Sequence, residues 1–214
     1  MIRGTPFFLA DSPFMKTSNW ISKSILVAVV GLGVHTPLSA APETHEFDPA
    51  HSFVGFRIKH LFAYVHGRFN DVKGTLVIDP DKPEDATVTA TIGVASISTG
   101  VEKRDAHLRT PDFFDAEKFK EITFKSKSVE KTGDKTAKVK GDLTIHGVTK
   151  EVTLDVEYFG HGADGQGSIR SGWRGMTTLK RSDYGITFGK DIEGVPLIGD
   201  QVDIILDMEG IVKP

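Results

Sequence analysis

From His51 onward, apolar and polar side chains alternate with a period of two, the pattern of half-buried β-strands. Val54, Phe56, Ile58 and His60 face one way, and Phe53, Arg57 and Lys59 the other. The same rhythm recurs at Leu76 and Ile78, at Val88 to Val94, and at Ile122 to Ser126. It continues at Val139 to Ile145, Val152 to Tyr158, Trp173 to Leu179 and Val202 to Met208, which makes eight strands. The joints are rich in turn residues, as at Asp79-Pro80-Asp81 and Lys131-Thr132-Gly133-Asp134. Short joints between alternating strands mean antiparallel neighbours, because parallel pairs need long crossovers. Such a meander buries its apolar faces by closing into a barrel or stacking as a sandwich. Long strands favour the barrel: Val65 to Ile78, taken as one run, would extend about 40 Å at the usual strand rise.

One segment breaks the rhythm. Ser98 to Phe119 reads as a helical insertion between the third and fourth strands. Ser98 or Thr99 is the expected cap, Glu102 lies in the first turn, Val101 and Leu108 share a face, and Pro111 ends it. Phe113 and Phe114 follow at once, which suits a lid or plug at one barrel mouth.

Ahead of the strands, Ile25 to Val34 is ten residues without a charge, flanked upstream by Lys16 and Lys23. A helix of that length spans about 15 Å, half a bilayer core, so it reads as the apolar region of an export signal and not as a membrane span. Residues 1–40 are therefore expected to be a signal peptide cut after Ala40, with Met15 as the true start, and 41–214 to be one domain. The expected location is the periplasm. The chain has no cysteine, which suits an oxidising compartment and excludes disulfides and thiolate metal sites. A net charge of −3 gives no basic footprint for nucleic acid or an anionic membrane surface.

Catalytic signals are lacking. There is no Gly-x-Ser-x-Gly, no phosphate-cradling loop, and none of His45, His51, His60, His66, His107, His146 or His161 has the spacing of a helical zinc motif. Neither an enzyme activity nor a metal or cofactor is expected. An eight-stranded barrel is either filled by its own side chains or just wide enough for one small ligand. The inward set contains Phe56, Ile58, Phe69, Leu76, Ile78, Phe124, Leu143, Ile145, Leu154 and Leu206. Periodicity alone does not separate a lipid-holding interior from the dry core of a stress-response or interaction protein.

Several blocks, in order, carry a resemblance. They are His51-Ser52-Phe53-Val54-Gly55-Phe56-Arg57-Ile58-Lys59-His60, Val65-His66-Gly67-Arg68-Phe69, and Lys103-Arg104-Asp105-Ala106-His107-Leu108-Arg109 with Asp112-Phe113-Phe114-Asp115. Ile122-Thr123-Phe124-Lys125-Ser126, Gly141 to Thr149 and Phe159-Gly160 follow. Over about residues 45 to 212 the sequence resembles the YceI-like, or polyisoprenoid-binding, family. The resemblance implies an exported lipocalin-like barrel whose interior holds an isoprenoid or other long-chain lipid and performs no reaction. It also implies membership of a group often dimeric and in some cases responsive to stress. It makes His60, Phe113 and Phe114 cavity residues alongside the apolar set, and Arg104, His107 and Arg109 head-group contacts at the mouth.

Overall fold

Hydrophobic alternation translates into one continuous antiparallel ladder in the computed structural model, which describes residues 41–79, 81–189, 191–192 and 194–213. The expected export signal, residues 1–40, lies outside the described residues. The strands are β1 (Glu43–Phe47), β2 (Phe53–His60), β3 (Ala63–Phe69), β4 (Val72–Asp79), β5 (Lys82–Gly93) and the short β6 (Ile97–Ser98). After the helix α1 (Glu102–Leu108) come β7 (Glu121–Lys131), β8 (Thr136–Ile145), β9 (Val148–Ala163) and β10 (Ile169–Lys180). The short β11 (Asp191–Ile192) and β12 (Val195–Pro196) form a separate pair, and β13 (Ile198–Val212) closes the chain.

Eight strands form a closed ring in the order β1-β4-β5-β7-β8-β9-β10-β13, with β13 pairing back to β1. The closing strand serves two partners. Its last residues, Gly210 to Val212, pair with β1, while Ile198 to Asp207 pair with β2. β3 follows antiparallel to β2 and reaches β6 through Arg68 and Phe69. The expected single run from Val65 to Ile78 is broken at Asn70-Asp71, whose peptide N–H groups both donate to Ser96 Oγ at 3.0 Å.

The position expected for the helix needs correcting. α1 follows β6, a two-residue strand that alternation is too short to reveal, and does not directly join the third and fourth strands. Nor is the expected cap formed: Val101 occupies the N-cap without a side-chain bond. Thr99 instead presents its N–H (2.8 Å) and hydroxyl (2.5 Å) to the buried carboxylate of Asp105. Val101 is exposed, whereas Leu108 packs on the core, so the two do not share a buried face.

That core is a cluster of Val54, Phe69, Val72, Val94, Ile97 and Ile122, with Leu108 and Phe114 of the insertion laid against it. The insertion is thereby pinned to one end of the barrel, the mouth, which also carries the joints after β2, β8 and β10. The opposite end, the floor, carries the β4–β5, β7–β8 and β9–β10 joints and the start of β1. Among the described residues no helix is long and apolar enough to cross a membrane.

Candidate functional site

The barrel is not filled by its side chains. A cavity of about 860 Å³ runs from mouth to floor, within the range of pockets that enclose a sizeable organic ligand. Its wall is the inward phase of every strand in the ring. Phe56, Ile58, Phe69, Leu76, Ile78, Phe124, Leu143, Ile145, Leu154 and Leu206 all line it, with His60 exposed at the mouth end of β2. Small residues keep the lumen open. A Cβ at Gly141 would lie 2.5 Å from Phe124 Cζ, so glycine lets that ring lie flat against the β8 wall.

At the mouth, Phe113 and Phe114 line the cavity from the insertion. The Phe113 ring lies 4.8 Å from that of Phe188, and His107 meets both edge-on at 5.1 Å. The polar groups expected to greet a head group there are engaged with the protein itself. Arg104 lines the cavity, but donates to Thr99 Oγ1 (2.7 Å) and Thr99 O (3.0 Å). His107 Nε2 lies 2.7 Å from Asp112 Oδ2. The expectation for Arg109 is corrected: it does not line the cavity, and instead donates to the carbonyls of Ala95 and Ile97 at 2.8 Å. Arg109 thus holds the β6 segment. Arg181, also at the mouth, donates to the carbonyls of Gly199, Ile186, Phe188 and Ile198. Burial lowers its pKa from the usual arginine value.

The floor is the polar part that sequence reasoning missed. Glu43 and His45 project inward from β1, His161 from β9, and Ser171 and Trp173 from β10. A bulge aims His161. Gly172 pairs with Gly160 but Trp173 with Tyr158, leaving Phe159 as the extra residue on β9. Tyr158 and His161 then both face the lumen while Phe159 is half-exposed outside. His45 is 1% exposed, and its Nδ1 sits 2.6 Å from Ser171 Oγ. Its Nε2 is 3.2 Å from Glu43 Oε2, a close polar contact whose angle is not that of a hydrogen bond. A carboxylate beside Nε2 favours the proton on that nitrogen, so the Ser171 hydroxyl donates to Nδ1. Burial pushes the His45 pKa below 6.5; Glu43 opposes the shift and His161 adds to it. Gly210 makes the space, since a Cβ there would come within 3.0 Å of His45 Cβ and 3.1 Å of Trp173 Cζ3.

Asp48, His51 and Glu209 also bring ligand-type atoms together outside the lumen. Arg170 already occupies that acidic pair, binding Asp48 Oδ2 at 2.7 Å and Glu209 Oε1 more closely still. His51 and Arg170 hold the Asp48 carboxyl down at about 2. The cluster is an ion network that fastens the β1–β2 joint to β10 and β13. His66, which a hairpin would have to bring to His60 for a metal pair, lies opposite Arg57 instead.

Ring closure and a continuous apolar lumen define a small antiparallel barrel of the ligand-enclosing class. A YceI-like domain is matched over residues 45–210. The protein is 41% identical over 162 residues to a UPF0312 protein of Ectopseudomonas mendocina (strain ymp), covering 75% of this chain and 82% of the relative. The chain belongs to the YceI-like family. Among solved structures, the Campylobacter jejuni YCEI protein superposes with a TM-score of 0.65 at 32% identity, over 73% of this chain and 90% of that one. Burkholderia cenocepacia BcnA gives 0.67 at 26% identity, over 76% and 98%. A polyisoprenoid binding domain from Saccharophagus degradans shares the fold at 0.60 and 17% identity, over 79% and 98%.

Proposed function

We propose that this protein binds and carries a long-chain apolar lipid, an isoprenoid or a chain of similar length, inside the barrel. The observation that carries the reading is the cavity of about 860 Å³, walled by apolar side chains between its mouth and its polar floor. An apolar chain costs about 0.8 kcal/mol per CH₂ exposed to water, so moving it through an aqueous compartment calls for such a sheath. The polyisoprenoid binding domain with the same fold supports the reading by analogy. In this reading residues 1–40 are removed on export, the protein works in the periplasm, and it assembles as a homodimer. No metal or cofactor is required.

Binding without chemistry is part of the proposal. Ser171, His45 and Glu43 stand in the order of a hydrolase's serine, base and acid, but His45 Nε2 makes no hydrogen bond to Glu43. Here Ser171 lies within a strand paired on one side with His161 and on the other with Gly210.

The test is solvent extraction and mass spectrometry of lipid from protein isolated out of the periplasmic fraction of its own cells. A long-chain lipid in near-stoichiometric amount is the expected result. Protein confined to the cytoplasm, or free of lipid and indifferent to added polyprenols and fatty acids, would overturn the reading.

A further inference from the structure

The two ends of the lumen differ in what they leave unsatisfied. At the mouth, Arg104 and Arg181 already donate to protein oxygens and His107 is paired with Asp112, so the group left over there is a donor, the buried Tyr184 hydroxyl. At the floor, both His45 and His161 approach Glu43 through the same oxygen, Oε2, at 3.2 Å. Oε1 takes part in neither contact, and the residue lines the lumen. Setting the methyl end of a lipid against this carboxylate would strip it of water without replacing the hydrogen bond, a substantial cost. A ligand atom that donates a proton to Oε1 avoids that cost.

Charge narrows the chemistry further. A phosphate or carboxylate head would face Glu43 as a like charge. The other floor-end charges on the cavity, Lys131, Asp134 and Lys135, belong to β7 and the β7–β8 hairpin, strands three and four places round the ring from β1. We infer that the floor built from Glu43, His45, His161 and Ser171 is a head-group site for an uncharged, hydroxyl-bearing lipid, which binds head-first with its chain running towards the mouth. This rests on the lipid-binding reading above and adds to it the class and direction of the ligand.

The geometry supplies a reporter. The Trp173 indole meets the His45 ring edge-on at 5.5 Å. Of the two tryptophans, Trp20 lies in the segment proposed above to be removed on export, which leaves Trp173 as the single indole of residues 41–214. Delipidated protein is titrated with a polyprenol, the polyprenyl phosphate of equal length and the parent hydrocarbon. The expected result is about tenfold tighter binding of the alcohol than of either competitor, a difference near one good hydrogen bond, with a change in Trp173 emission on adding the alcohol. Glu43→Gln keeps an acceptor but loses the charge, so it should weaken the alcohol a few-fold and improve phosphate binding several-fold. Glu43→Leu should reduce the alcohol to the level of the hydrocarbon. If the phosphate binds tightest to the unaltered floor, or all three bind alike, the head-group inference fails while the lipid reading stands. If none of the three binds, the head-group inference fails, and the lipid reading fails with it where added fatty acids do not bind either. The ranking on the protein with its unaltered floor decides the matter even where a Glu43 variant folds poorly.

Discussion

Glu43 on β1 and His161 on β9 meet at 3.2 Å across the lumen, although their strands stand three places apart in the ring. A contact across the lumen draws that end of the barrel together. The same carboxylate touches His45, so the apolar tube ends on a polar floor.

Filling the lumen should abolish binding without unfolding the barrel. Ala90 lines the cavity from β5, and its partner across the ladder is Phe124. Ala90→Trp directs an indole into existing space, so lipid affinity should drop at least tenfold while the melting temperature moves by a few degrees. Lys125→Ala, on the outer face, should change neither. Isothermal titration with a polyprenol and thermal denaturation of the three proteins make the comparison.

Ser171→Ala removes the donor to Nδ1 of a histidine that is 1% exposed. Leaving a buried polar nitrogen without its partner costs about 1–3 kcal/mol, to be read as a lower urea midpoint at pH 8.

The buried His45 also sets a pH dependence. Its folded pKa lies below 6.5, chiefly through burial. Between that lowered value and 6.5 the unfolded chain binds the proton that the folded one refuses, so stability falls as the pH drops below 6.5. Urea titrations from pH 8 to pH 5 should show a shallower decline in His45→Gln than in the unaltered protein. The Asp48 carboxyl, held at about 2, works in a separate window: its contribution is complete above 3.8 and is lost as the pH falls towards 2.

Arg109→Leu tests the corrected role of that arginine. It deprives the carbonyls of Ala95 and Ile97 of their donor, so the melting temperature should fall by several degrees. Polyprenol affinity of the folded fraction should stay within about twofold, because Arg109 does not line the cavity.

Strands announced themselves where hydropathy alternates, which is why the inward set from Phe56 to Leu206 lines one lumen. β1 stayed hidden because two of its inward residues, Glu43 and His45, are polar, and alternation of hydropathy does not register them. His161 stayed hidden for a different reason. By simple alternation from Tyr158 it faces solvent, and only the extra residue Phe159 turns it inward. A similar shift between Ser126 and Ser128 brings Val129 and Lys131 onto the cavity. Arg109 shows a third limit: a long cation beside a mouth serves a ligand or a backbone carbonyl equally well until its bonds are known. The Phe159-Gly160 pair, inside an otherwise regular strand, was the available sign of the bulge.

Native mass spectrometry of the purified protein, beside its Ala90→Trp variant, tests the central claim most directly. The account predicts one lipid-sized mass added per polypeptide, retained under gentle activation and missing from the variant. A bare polypeptide mass that stays bare after incubation with polyprenols, long-chain alcohols and fatty acids would contradict it.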